Sequence, residues 1–527
     1  MKSKLADKYF AYLAKHFPVM CASARFSFMP AVRTSADRLD RLEDFSQSSI
    51  RSRMAKIRKF KNLFEAEQAK ADTVEDRAKA EILAQNASGI LTEFEQAQTW
   101  RKAPELYLSV AFTGLAQCQD MPAETDSVRA RRMAKRLVKI PGFLSRVARN
   151  VEAISHSSRA AAQTLVRDCA RFLNTLESGP LSREGRIARL AQKGLVSLRD
   201  FDRFVATRPE VPEPEGPDFT TVMSGVLGSD KSAAEIFEIA ETEWRIRLRE
   251  LDRASRDFGR DWHSLLEDYT GMDGTAPLDE MVRTIHELRS FVMEYALPGI
   301  FRDADLHIHE PPLHLSSMPD PIQYEAGLLP DIPAKCFINV HAFSGRGFRD
   351  DQTMLARIRR EHLFLAARYT YPGLHLLHSS RRASDDPVFS QTAHPLFVHG
   401  WLAFAEDMLG ELDLLRAPQP RLVLVRRALR RAGTAMIDAG LATKALTQDQ
   451  CLEILEQTGF SRHEGLELVR TIRLMPGNKV CPVLGLHELR QLRSESGLDL
   501  GEFCSRILQG GHVSFALAGH LVNRDKS

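Results

Sequence analysis

The sequence predicts a mainly α-helical protein, built from many connected helices with one small β-sheet. Three observations carry that reading. Apolar residues recur at threes and fours over long stretches, as in Leu39, Leu42, Phe45, Ile50, Met54, Ile57, Phe60 and Phe64, which is the pattern of an amphipathic helix. Helix-start signals recur too: Ser232-Ala-Ala-Glu235, Thr447 to Gln450 and Ser461 to Glu464 each place a hydroxyl three residues before a Glu or Gln, as a capping box requires. Only between Leu306 and Phe343 does the period shift toward alternation, in Leu306-His-Ile-His-Glu310 and Cys336-Phe-Ile-Asn-Val-His-Ala-Phe343, so the sheet is expected there.

Taken in order, the chain opens with the apolar segments His16-Phe-Pro-Val-Met-Cys-Ala-Ser23 and Phe26-Ser-Phe-Met-Pro30, which should dock on the body and not remain in water. From Ala36 to about Val205 the pattern is one of helical hairpins, with breaks near Asp72, at Met121-Pro122, at Ile140-Pro-Gly142 and at Ser178-Gly-Pro180. No fixed-period repeat indicates a solenoid. Residues 208–218 hold four prolines, which forbid helix and favour an extended connector. This divides the chain into an N-terminal helical region (1–207), a Pro-rich linker (208–218) and a C-terminal body (219–527) carrying the sheet at about 306–343. In the body, helices are expected from Ser232 to about Phe258, from Pro277 to about Leu297 and from Arg421 to Leu441.

With 527 residues, 43% apolar and 27% charged, the chain can bury a sizeable core and falls among soluble globular proteins. A net charge of only +3 argues against a nucleic-acid partner, which usually demands a marked basic excess. Basic runs at Arg51 to Lys61, Arg129 to Lys139 and Arg426 to Arg431 have apolar residues at helical spacing between the charges, so they read as solvated helix faces. The seven cysteines are scattered and never paired as Cys-x-x-Cys, which fits a reducing compartment. No secretory h-region follows Met1 and no run reaches the ~18 to 20 apolar residues of a membrane span. A cytoplasmic location without a membrane partner is the expectation.

The chemistry-bearing stretch is 362–411. His375 and His378 stand three apart, one turn of a helix, and His399 opens a later helix with Glu406 seven residues on. Such a set could ligate a metal or could be core histidines satisfied by their neighbours. His307, His309 and His314 lie around Pro311-Pro312, which removes the regular geometry a second metal cluster would need. Gly345-Arg-Gly347 lacks the third glycine of a phosphate loop.

Tyr371-Pro372-Gly373, His375, and Gly400-Trp401 with Glu406 resemble the bacterial domain-of-unknown-function 885 family, whose members resemble zinc peptidases of the gluzincin kind. That family carries His-Glu-x-x-Pro-Gly-His-His on one helix and Glu-Gly-Trp-x-x-Tyr-x-Glu on another. Arg473 and Pro476-Gly477 continue the likeness. The resemblance implies a multi-helical, zincin-like body with its small sheet beside the active-site helix, where an edge strand could hold an extended peptide, and a long groove. It also implies zinc as cofactor and a structural frame of Pro372, Gly373, Gly400, Trp401 and Arg473.

The reacting groups depart from the pattern. The His-Glu pair is Arg368-Tyr369, the first His after Pro-Gly is Leu374, the Glu before Gly-Trp is His399, and Asp438-Ala-Gly-Leu ends in Ala442. A guanidinium has no lone pair to give a metal and repels it. A tyrosine, ionising near pH ~10, is a poor base at neutrality. The expectation is a catalytically degenerate relative holding a peptide or protein segment in its groove, with no cofactor. The alternative is a hydrolase whose zinc sits on a rebuilt site of His375, His378 and His399, with Glu406 or Asp438 as base.

Overall fold

The computed structural model describes residues 3–23, 25–123, 125–179, 181, 185–297, 305–317, 320–344 and 352–523. The Gly345-Arg-Gly347 segment lies outside them. The protein is mainly helical with a small sheet.

The N-terminal helices, among them Gln47–Ala69, Val74–Leu91, Glu105–Asp120, His156–Ser178 and Arg186–Thr207, close around one apolar cluster. Phe17, Phe45, Phe64, Tyr107 and Phe112 are fully buried in it. Each such side chain contributes roughly 1.5–3 kcal/mol by leaving water. The opening segment is part of this core. The amides of Val19 and Met20 donate to Glu43 Oε1 at 2.7 and 3.0 Å, so its turn has no unsatisfied donors there.

The Pro-rich stretch is extended, as its prolines demand, yet it is not a free connector. Strand β1 (Ile154–Ser155) pairs in parallel with β2 (Glu210–Val211). Further on, the Gly216 amide donates to the Arg473 carbonyl at 2.9 Å. A Cβ at Gly216 would stand 2.4 Å from the Leu474 carbonyl oxygen, so only glycine permits this approach. The linker is thereby fastened to both halves of the chain.

The second large cluster gathers around Trp401, which is fully buried. Its helices include Ala233–Phe258, His362–Tyr369, Leu374–Arg382, Pro395–Glu411, Pro418–Ala442 and Cys481–Ser496. All three predicted capping boxes form, with both reciprocal bonds present. The helix expected from Arg421 begins earlier, at Pro418. Its prolines sit in the first turn, where a missing N–H costs nothing.

The three-stranded sheet comprises β3 (Leu306–His309), β4 (Ile322–Glu325) and β5 (Ala334–Ile338), in the order β3-β5-β4. β3 runs parallel to β5, with Leu306 opposite Ala334. β4 runs antiparallel to it, with Tyr324 opposite Cys336. β4 lies against the 362–369 helix, the side on which a sheet was expected.

Candidate functional site

Two local devices bring the 362–382 and 395–411 segments together. Pro372 and Gly373 separate the 362–369 helix from the 374–382 helix, and a Cβ at Gly373 would meet the Arg368 carbonyl oxygen at 2.1 Å. The Trp401 indole donates to the Pro372 carbonyl at 3.1 Å, tying the second segment to the break in the first. Gly400 then lets the 395–411 helix touch the 481–496 helix, since its Cβ would be 2.4 Å from the Gly485 carbonyl carbon.

This frame sets Arg368 against Glu406, Nη1 to Oε1, at 3.2 Å. Glu406, 1% exposed, also accepts from Arg427 Nε and Nη2 at 3.1 and 2.8 Å and from Arg431 Nη1 at 2.6 Å. Burial pulls its carboxyl upward, but Arg427, Arg431 and Arg368 outweigh that and hold it down at about 2. A second buried acid, Glu361, pairs with Arg426, Arg427 and Arg430. The guanidiniums of Arg430 and Arg357 lie over the Phe460 ring, 4.8 and 5.0 Å from its centre.

The basic run Arg426 to Arg431 is therefore not a solvated face, as its spacing suggested. Arg426, Arg427, Arg430 and Arg431 are turned inward, with side chains 6 to 12% exposed. In the second run, Arg136 is likewise fully buried and donates to the Arg41 carbonyl at 2.9 Å and to Gln117 Oε1 at 3.0 Å.

The predicted metal residues separate into two places. His375 is fully buried and shares a 3.0 Å hydrogen bond with the Tyr324 hydroxyl of β4. His378 lies beside the rings of Tyr324 and His512, at 5.5 and 4.7 Å. His399 instead lies within electrostatic range of Arg368 and Lys479, and burial together with these two cations lowers its pKa to about 3. Among the described residues no three His, Cys, Asp or Glu side chains are grouped so as to hold a metal ion.

Asp438 is 2% exposed, and its two oxygens accept from the amides of Gly477 and Lys479, both at 2.9 Å. It anchors the 477–480 turn. Burial raises its carboxyl to about 6. Arg473 contributes its carbonyl to the linker and leaves its side chain exposed.

A cleft of about 480 Å³ runs between the N-terminal helices, the linker and the 470–481 segment, with His399 in its wall. Phe28, Val226, Leu474 and Met475 give it apolar sides, and Glu93 and Glu105 face it from the N-terminal region. No residue of the three-stranded sheet lines it; Glu325, Lys335 and Phe337 of the sheet line a separate, much smaller pocket. Glu105 Oε1 accepts from the Ser158 hydroxyl at 3.1 Å, while Oε2 is buried without a partner. Burial raises its carboxyl to about 7. Sequence reasoning missed Glu105, Glu361 and Lys479, because nothing local distinguishes an acid or a lysine that will be buried by a distant segment.

The profile of the family described as "Bacterial protein of unknown function (DUF885)" matches residues 30–521. The chain belongs to the DUF885 family. Two solved structures are similar to it. One, described as a "putative lipoprotein" from Colwellia psychrerythraea, is 15% identical over 100% of both chains, with a TM-score of 0.74. The other, a "putative lipoprotein of unknown function" from Shewanella oneidensis, is 14% identical, with a TM-score of 0.69 over 93% of this chain and 94% of the other. No curated protein matches the chain at a significant level.

In this DUF885 member each acid named from the sequence is already engaged. Glu406 has guanidiniums on both oxygens and Asp438 has amides on both. The cleft has apolar walls and, at Glu105 Oε2, a buried oxygen without a partner.

Proposed function

We propose that this DUF885 protein is a catalytically degenerate relative of zinc metallopeptidases of the gluzincin kind, which holds a peptide or protein segment in its cleft without cutting it. The ion pair between Arg368 and Glu406 carries this reading. At the position where the family resemblance calls for a ligand histidine, a permanent cation occupies the neighbourhood of the retained acid and supplies the counter-charge a metal would have supplied. A cation placed there excludes a second one. Tyr369 adds no base, since burial pushes its hydroxyl further above its ordinary value. The seven free, buried cysteines support a reducing, cytoplasmic location. Among the described residues no helix is long and apolar enough to cross a membrane.

The test is elemental mass spectrometry on tag-free protein after incubation with excess zinc, followed by dialysis. The expected result is no retained metal, together with retention of unlabelled peptides in equilibrium dialysis and no cleavage products. Stoichiometric zinc that disappears in the His375→Ala, His399→Ala double variant would overturn the reading in favour of the rebuilt three-histidine hydrolase.

A further inference from the structure

The acids that meet the inward-turned arginines are too few. Among the described residues, six guanidiniums, from Arg357, Arg368, Arg426, Arg427, Arg430 and Arg431, are answered by four carboxylates, Glu361, Glu406, Asp407 and Glu464. Following the network through Arg490 to Glu243, Arg247 and Glu250 adds two cations and two acids, so the excess stands. It is sharpest at Arg426, which is 5% exposed. The acid oxygen it faces, Glu361 Oε1, is 3.6 Å away and already accepts from Arg430. Arg426 Nε and Nη2 are buried without a partner, and so is Arg430 Nη2. The two side chains converge on one turn. A Cβ on Gly459 would stand 3.7 Å from Arg426 Nη1 and 3.5 Å from Arg430 Nη2, so the glycine leaves a gap within reach of both guanidiniums. Its φ of +84° is one that glycine adopts freely. Phe460, the next residue, carries Arg430 and Arg357 over its ring, and Arg357 Nε is also unpartnered. Gly459 and Phe460 are themselves partly exposed, which places the gap near the surface. Ser461 then caps the 462–474 helix, whose N-terminal end favours negative charge.

We infer that the Gly459 turn is a binding site for a small free oxyanion of the phosphate class, held by Arg426 and Arg430 with Arg357 beside them. A buried charge is unfavourable unless it is paired, and Glu361 is already divided among Arg426, Arg427 and Arg430. Burial accordingly lowers Arg426 to about 10 and disfavours the protonated form of Arg430. An anion at the turn removes that penalty by using the nitrogens Glu361 leaves over. A phosphate group carries nearly two negative charges at neutral pH, which matches the excess of two guanidiniums. Its separate oxygens can each accept from a different guanidinium edge, a geometry that a single halide cannot offer. The side chains of Arg426 and Arg430 are only 6 and 8% exposed, so the site suits a free ion and not a bulky ester.

The experiment is equilibrium dialysis of the full chain against radiolabelled inorganic phosphate, at an ionic strength held constant with chloride. Saturable retention of one phosphate per chain is expected. Arg426→Met should weaken it at least about tenfold, and Arg426→Lys should keep part of it. Arg462→Ala, which removes a side chain 63% exposed just beyond the turn, should leave it unchanged. Thermal midpoints separate binding from folding. Phosphate should raise the midpoint of the parent and not that of Arg426→Met, while in phosphate-free buffer the variant, relieved of an unanswered charge, should melt no lower than the parent. Absence of saturable retention by the parent, or equal retention by Arg426→Met, would overturn the site. An equal loss in Arg462→Ala would reduce it to diffuse surface charge and overturn it too. Displacement of phosphate by an equal concentration of chloride would overturn the assignment to an oxyanion, and tighter binding of phenyl phosphate than of inorganic phosphate would overturn the assignment to a free ion.

Discussion

Arg368 Nη1 stands 3.2 Å from Glu406 Oε1, joining the end of one helix to the middle of another. Glu406 is nearly inaccessible to water, so the pair exists only because the charge is matched inside the protein. Three guanidiniums share that one carboxylate, and the sharing is unequal. Arg427 and Arg431 come from the 418–442 helix at 2.8 and 2.6 Å, whereas Arg368 comes from the 362–369 helix and keeps 17% of its side chain exposed.

Removal of the acid should therefore cost more than removal of this one cation. Glu406→Gln leaves Arg427 and Arg431 buried beside a neutral amide and is expected to destabilise the protein by about 3–5 kcal/mol. Arg368→Met leaves the carboxylate two partners and should cost about 1–2 kcal/mol. Urea unfolding midpoints measure both, and equal losses would contradict the redundancy of the three cations.

Stability should decline in mild acid. His394 is held at about 4, and His399 and His314 at about 3, chiefly by burial, against an ordinary value of 6.5. The unfolded chain takes up protons first, so stability is complete above about 6.5 and falls as pH drops toward those values. Each such histidine removes up to about 1.4 kcal/mol per pH unit in that window. Glu406, lowered to about 2 from 4.5, adds a second loss below about 4.5. Thermal unfolding followed by circular dichroism should give a midpoint several degrees lower at pH 5 than at pH 7.5. A constant midpoint over that range would refute the account.

Glu105 predicts the opposite sign. Its carboxyl is raised from 4.5 to about 7, so its contribution is full below about 4.5 and is lost as pH rises through about 7. Glu105→Gln should therefore stabilise the protein at pH 8, by about 1–2 kcal/mol, and change little at pH 5. The pH dependence of the difference between variant and parent is the measurement. A pH-independent difference would mean that the carboxyl is not protonated on folding.

The crossing of the 395–411 and 481–496 helices sets a steric test. Gly400→Ala places a methyl 2.4 Å from the Gly485 backbone, where the neighbour cannot yield as a side chain would. The expected loss is about 3 kcal/mol or more. Gly142→Ala, with nothing within 4 Å of the added Cβ, serves as control and should be neutral or slightly stabilising. Comparable losses in the two variants, read from denaturation midpoints, would remove the close-crossing argument.

The capping boxes at Ser232, Thr447 and Ser461 were legible because their chemistry is complete within four residues. The sheet between Leu306 and Phe343 was legible by its period. The short β1–β2 pairing and the docking of Gly216 on Arg473 were not, since they join residues distant in sequence and leave no periodic trace. The run Arg426 to Arg431 was misread for a related reason. Arginines with apolar residues between them look the same whether their partner is water or a buried Glu361 or Glu406 on another helix. The metal residues divided similarly. The spacing of His375 and His378 put them on one turn, but whether His399 would face them or Arg368 was decided by how two helices cross.

All seven cysteines are free and at most 2% exposed, and burial pushes thiols such as Cys336 up to about 12 and Cys451 to about 11. The native chain is thus silent toward an alkylating reagent both sterically and electronically. Because Cys21, Cys118 and Cys169 sit in the N-terminal cluster and Cys336 and Cys504 in the C-terminal one, the order in which labels accumulate works as a clock with two hands. It times the opening of each half of the molecule separately, without a single engineered probe.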